Sequence, residues 1–183
     1  MLPESRLVAE LLLKRPTLEQ WDAALVSNNL LQKSPSTAVR QARLIRKRLE
    51  TLDDEGLRLI IDGDGELAGQ ILMAACARNS QLLSDFMRDV YAVDLRQLEK
   101  TLSYRQWEAF LADCAHRDEA VNDWTASTRK KLFQVIARIL AEAKYLDSTR
   151  DMKLTPPLLH PRVRGYLRRL GDDTTLGRME VTT

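Results

Sequence analysis

The sequence predicts an all-α protein: a compact multi-helix globular fold with two helix-turn-helix-like elements and room for one small β-hairpin near 145–156. Three observations carry this. Leu and Ala number 31 and 18 against 9 Val and 6 Ile, so strong helix formers outweigh strand formers. The 183 residues include only 7 Gly and 6 Pro, too few for a turn-rich β architecture. Apolar residues recur at three- and four-residue spacing behind Ser, Thr and Asp, the residues that cap helix N-termini.

Each element has its own local signal. Pro3 opens a first helix that runs to about Lys14, where proline suits a first turn. Thr17 with Gln20 makes a capping box, and Trp21, Ala24 and Leu25 form the inner face of a second helix ended by Asn28 and Asn29. Ser34-Pro35 begins a third, to about Leu52, with Ala38, Ala42, Ile45, Leu49 and Leu52 on one stripe. Asp53 or Asp54 caps a short helix to Ile61, and Asp62-Gly63-Asp64-Gly65 is the clearest turn. The next run has no charge between Glu66 and Arg78, so it belongs at the centre of the fold with Leu72 and Cys76 buried.

Ser80 restarts the chain for QLLSDFMRDVY, and Ser103 with Gln106 makes another capping box ahead of Trp107, Phe110, Leu111 and Cys114. A short helix from about Glu119 to Trp124 then meets a Thr-Ala-Ser turn and a long helix from Ser127 to about Lys144. Its predicted inner stripe is Leu132, Val135, Ile136, Ile139, Leu140 and Ala143. Pro161 opens a last helix to about Leu170, and the polar chain from Gly171 reads as frayed. The expected organisation is an N-terminal lobe over 1–62, central helices over 63–116, a C-terminal lobe over 117–172 and a flexible tail over 173–183, packed as one unit.

Cys76 and Cys114 lie in apolar helical patterns without metal-ligand spacing and read as buried thiols of a reducing compartment. No apolar run nears the roughly 18 residues of a membrane span. A cytoplasmic location and no membrane partner are expected.

Little in the chain suggests catalysis. His116 follows a helix end and His160 stands between Pro157 and Pro161 at a helix start, so both read as capping or surface residues. Asp62-x-Asp64-x-Glu66 has the opening spacing of a calcium loop, but Leu67 stands where the turn needs Gly and Met73 where the bidentate acid belongs. Gly63, Gly65 and Gly69 follow no strand and do not complete a dinucleotide fingerprint. The expectation is a non-enzyme with no cofactor, metal or small-molecule substrate, monomeric on its own.

Charge is informative through its distribution, because the net charge is only +2. Arg40 to Arg48 holds five cations and no acid, whereas Glu50 to Glu66 holds seven acids and the single cation Arg58. Arg supplies 20 of the 28 basic residues, and its planar fork suits phosphates and guanine edges. Ser36, Arg40, Arg43 and Lys47 project from the outer side of the third helix. Ser127, Lys130, Lys131, Gln134 and Arg138 do so from the long late helix, and Arg164 and Arg168 from the last. A buried stripe with short polar and basic side chains opposite is what a groove-entering helix requires, so these eleven residues are the candidate DNA contacts.

The stretches KSPSTAVRQARLIRKRL (33–49), LLSDFMRDVY (82–91), WTASTRKKLFQVIARILAEAKYLD (124–147) and PPLLHPRVRGYL (156–167) resemble the BrxA family of bacteriophage exclusion (BREX) systems. The W-x-x-S-T-x-x-K-L block is the most specific part, and Lys144 stands where the family's E-A-G-L pattern has Gly. The resemblance implies a small all-helical component of a phage-defence system without known catalysis, binding DNA through helix-turn-helix elements beside other BREX proteins. The expected function is therefore double-stranded DNA binding. A protein-interaction adaptor and an RNA-binding helical bundle are the alternatives, the latter disfavoured because the ten aromatics fall mainly on inner stripes.

Overall fold

A computed structural model describes residues 2–181. It is all-α, and the chain divides into two compact units. The first holds the residues through Asn79 together with His160–Tyr166, and the second holds Ser80–Leu159 with the chain from Leu167 onward. This division cuts across the expected lobes, because the last helix but one is shared between the units.

In the first unit, α1 (Leu2–Leu13) packs on α4 (Asp54–Asp62) and on α3 (Pro35–Leu49), and both α3 and α4 pack on α5 (Gly65–Asn79). The uncharged run thus forms the central helix, with Leu67, Ala68, Ile71, Met73, Ala74, Ala75, Cys76 and Ala77 buried. Leu72, expected inside, is half-buried; Ile71, one residue earlier, takes the inward position. Asp64 caps α5 by accepting from the Leu67 amide at 2.8 Å, which is the capping role that its sequence context favours over calcium binding. Arg6 of α1 donates to the carbonyls of Ile60 and Gly63, closing the free end of α4. Gly56 of α4 lets Tyr166 approach so closely that a Cβ there would overlap the tyrosine hydroxyl.

The capping box of Thr17 and Gln20 starts α2 (Leu18–Asp22). This helix does not run straight to Asn28 but widens into a π-turn over Ala23–Ser27, and Asn29 then takes φ +44°. A matching change occurs in the second unit. There α6 (Gln81–Phe86) passes through a π-turn at Met87–Tyr91 into α7 (Ala92–Arg96).

The second unit is built on α8 (Tyr104–Ala115), α9 (Ala126–Glu142) and α11 (Asp173–Met179). Trp107, Phe110, Leu111 and Cys114 form the buried face of α8 as the sequence predicts. The helix expected from Glu119 to Trp124 is a single 3₁₀ turn, Glu119–Val121. The element ahead of α9 is therefore shorter than a positioning helix. The buried face of α9 is Phe133, Ile136, Ala137 and Leu140, whereas Val135 is exposed. Its inner stripe is turned by roughly 80° from the predicted one, at 100° per residue. The cause is aromatic: Phe133 lies 5.9 Å from Trp107 and 5.4 Å from Tyr104, ring to ring, and its burial decides the helix rotation.

Lys144 ends α9 in the left-handed conformation at φ +66°, a position glycine would hold without strain. The segment expected as a hairpin makes one isolated antiparallel bridge, Leu146 with Leu154, and a second bridge joins Lys153 to Thr101. Over residues 172–180 the chain is not frayed: Asp172 caps α11, Leu176 and Met179 are buried, and the Met179 carbonyl accepts from the buried Tyr145 hydroxyl at 2.9 Å, while residues 182–183 of the expected tail lie outside the described residues. Arg178 of α11 bonds the Ser84 hydroxyl and pairs with Asp85 at 3.4 Å. Finally α10 (Pro161–Arg169) gives its residues through Tyr166 to the first unit and the rest to the second.

Candidate nucleic-acid interface

Two helices carry most of the candidate residues, one in each unit. On α3 the start is fixed by Ser34 at the cap and Pro35 in the first turn, and the buried residues Ala38, Ala42, Ile45 and Leu49 set the rotation. Ser36, Arg40, Arg43 and Lys47 consequently fall on the opposite side, and all four are exposed. They span about 16 Å along the axis at 1.5 Å per residue. No ion pair joins Arg40, Arg43 or Lys47 to a carboxylate among the described residues. Arg46, by contrast, is held by the protein, bonding Glu50 at 2.6 Å and lying 4.7 Å over the Trp21 ring. Beside the stripe lies an open groove of about 460 Å³ with Arg43 and Lys47 on one side and Leu18 and Trp21 on the other.

On α9 the cap is Thr125, whose hydroxyl accepts from the Thr128 amide at 3.2 Å. The Trp107 indole donates to the Arg129 carbonyl at 3.1 Å, and Arg129 donates to the Trp124 carbonyl and pairs with Glu108 at 3.3 Å. These contacts fasten the first turn to α8 and make Arg129 a structural residue. Ser127, Lys130, Lys131, Gln134 and Arg138 are left exposed on the outer face within an arc of about 100°. The three cations have no ion pair among the described residues. The rotation of α9 leaves these five where they were expected, because it moves the inner stripe within the apolar side and exposes Val135 next to them.

The third set is divided. Arg168 is exposed, whereas Arg164 is half-buried and engaged within the protein. Both histidines act as expected at helix ends. His160 accepts from the Arg162 amide at 3.1 Å through Nδ1, and its own amide donates to the buried Gln70 side chain at 2.8 Å. His116 is the exposed C-cap of α8. No group of three or more His, Cys, Asp or Glu among the described residues is placed to hold a metal ion. No helix among them is long and apolar enough to cross a membrane.

Sequence reasoning missed two side chains of these faces. Leu44 and Val135 are exposed aliphatics, each directly after a stripe residue. For Leu44 the signal was present, since it falls off the Ala38-Ala42-Ile45-Leu49 stripe. For Val135 it was not, because its exposure results from the aromatic contacts of Phe133.

Comparison with known proteins covers the whole of this architecture. A family model described as BrxA matches residues 1–171. The chain is 35% identical over 182 residues to a protein of Paramagnetospirillum magneticum named BREX protein BrxA, covering 99% of this chain and 92% of that one. It is 33% identical over 181 residues to the Escherichia coli O9:H4 protein of the same name, covering 98% of this chain and 85% of the relative. Among solved structures, the crystal structure of an uncharacterized protein from Magnetospirillum magneticum superposes with a TM-score of 0.91 at 33% identity. The match covers 99% of this chain and 93% of that one.

Proposed function

The chain belongs to the BrxA family, and on that premise we propose that it is the non-enzymatic, double-stranded DNA-binding component of a BREX phage-defence system. The observation that carries this reading is the pair of exposed, unpaired cationic stripes on α3 and α9, each opposite a buried stripe that fixes its rotation. Groove binding needs a rigid helix whose outer residues are free to reach phosphates, and a cation already bound to a carboxylate contributes little to that. Arg46 and Arg129 are so bound, and the stripe residues are not. In this reading α2 with its π-turn and α3 act as one helix-turn-helix-like element, whereas α9, preceded only by a 3₁₀ turn, presents its basic face braced by α8. Other BREX proteins are its partners.

Fluorescence anisotropy on a duplex at several salt concentrations tests this, with single-stranded DNA and RNA beside it. The duplex binds most tightly, and each lost phosphate contact lowers the slope of log K against log salt by about one. Lys131→Glu with Arg138→Glu abolishes binding at moderate salt while circular dichroism shows the helices intact. Undiminished duplex binding by that folded variant, and by a folded Arg40→Glu with Lys47→Glu variant, would leave the stripes without a role and favour the protein-interaction adaptor.

A further inference from the structure

Placed in register, α3 and α9 present one pattern twice. Ser34-Pro35-Ser36-Thr37 opens α3 as Thr125-Ala126-Ser127-Thr128 opens α9, and Ile45 and Leu49 correspond to Ile136 and Leu140. Burial keeps this register at three positions, where Ala42, Ile45 and Leu49 are buried on one helix and Phe133, Ile136 and Leu140 on the other, and departs from it at two, where buried Ala38 and Ala137 match half-buried Arg129 and Arg46. Exposure follows the register at the stripe cations. Counting from the exposed serine, the fourth position is a cation (Arg40, Lys131), and so is the eleventh (Lys47, Arg138).

Two positions between those cations are the informative ones. The eighth is aliphatic in both helices, Leu44 and Val135, and each is 45% exposed. Each is thus only about half covered by its own unit and leaves an apolar edge beside a basic stripe. The seventh differs: Arg43 on α3 and Gln134 on α9, both exposed. These are the two side chains whose forks match different bases. Arg donates two hydrogen bonds to guanine O6 and N7, whereas Gln donates to adenine N7 and accepts from N6, and a neighbouring aliphatic group packs on a thymine methyl.

We infer that the chain is a tandem base reader, in which α3 and α9 each enter the major groove of a separate half-site, Arg43 selecting guanine and Gln134 adenine, with Leu44 and Val135 resting on thymine. The inference rests on the DNA-binding reading above and adds which side chains choose the sequence. The cations at the fourth and eleventh positions lie about one helical turn to either side of the seventh and take the phosphates, which fix register but carry no base information. Duplex RNA does not fit this arrangement, because its major groove is too deep and narrow for side chains to read.

Selection from a random duplex library tests it with the full chain, at low salt so that phosphate contacts keep each variant on DNA. The wild-type protein enriches two half-sites, one with a guanine and one with an adenine, each beside a thymine. Arg43→Gln changes guanine to adenine in the first half-site only, and Gln134→Arg changes adenine to guanine in the second only. Each variant loses roughly tenfold in affinity for the wild-type site, within the range expected of one bidentate contact. Enrichment of a single half-site, unchanged preferences in a variant that still binds, or duplex binding without any enriched sequence would each overturn the tandem reading while leaving DNA binding in place. Absence of wild-type duplex binding at any salt would remove both. All four substituted or flanking positions are exposed, and unchanged helicity and melting temperature show that the variants are folded.

Discussion

Asp94 is the most perturbed carboxyl of the second unit: it is buried, and desolvation lifts it to about 6 from an ordinary 3.8, against the opposing bond from the Gln106 amide at 2.8 Å. A carboxyl raised in the folded state binds its proton more tightly there than in the unfolded chain. Its contribution is therefore fully present below pH 4 and is lost as pH rises through about 6. Asp94→Asn is expected to raise stability at pH 8 by up to about 2 kcal/mol and to change nothing at pH 3, as read by urea unfolding at both. The tie is not idle, since Gln106 also completes the capping box of α8 with Ser103. At the centre of the first unit, Ile71 is fully buried, so Ile71→Ala should cost about 2–5 kcal/mol once its cavity is counted. Cys76, a few residues on, is buried and should label slowly with a thiol reagent in the native protein. Cys114 should label slowly too, because burial pushes its thiol up despite the Arg117 guanidinium that donates to Sγ at 3.4 Å.

Helix ends explain most of what positions the two stripes. The caps at Thr17, Ser103, Thr125 and Asp64 are local chemistry, in which a side-chain oxygen accepts an orphan amide; Thr17 and Ser103 cap at the residues the sequence marks, whereas Thr125 and Asp64 cap from within segments that it reads only as turns. The end of α9 is different. Lys144 holds φ +66° with its carbonyl accepting from the Thr155 hydroxyl at 3.0 Å, so the left-handed turn is imposed by the downstream chain rather than by the lysine itself. Lys144→Gly is expected to stabilise the protein by about 0.5–1 kcal/mol, the relief of left-handed strain less the extra backbone entropy of glycine, measured by chemical denaturation. Unchanged DNA affinity in that variant is expected as well, because Lys144 lies outside the α9 stripe. The π-turns at Ala23–Ser27 and Met87–Tyr91 had no sequence signal, since an inserted residue in a helix leaves its composition unchanged.

For the whole molecule, the buried residues of both units are mostly apolar side chains, and the buried tyrosines are held as neutral hydroxyls: Tyr91 and Tyr145 are pushed well up by burial, and Tyr166 to about 12. Tyr91 donates to the Tyr145 carbonyl at 2.7 Å, and the two rings meet edge to face at 5.5 Å. These hydroxyls join structural elements and are not placed as acids or bases. Purified protein is expected to show no cleavage or methylation of duplex DNA and no nucleotide hydrolysis with magnesium or manganese. Turnover that copurifies with the chain and disappears on changing one pocket would contradict this.

Local pattern is enough for the all-α class, the central place of the uncharged helix, the capped starts of α2 and α8, the proline start of α3, and the outward face of Ser36, Arg40, Arg43 and Lys47. Each of these depends on neighbours three or four residues away, which periodicity and cap chemistry report directly. Tertiary structure alone decided the rest. Phe133 turned α9 toward Trp107 and Tyr104 and left Val135 outside. Tyr145 and Asp85 anchored a polar C-terminal stretch as α11, and α10 became a helix shared by two units. The physical reason is common to all three: the partner lies tens of residues away, and burial of an aromatic ring or pairing of a charge outweighs the weak local preference of the segment it captures.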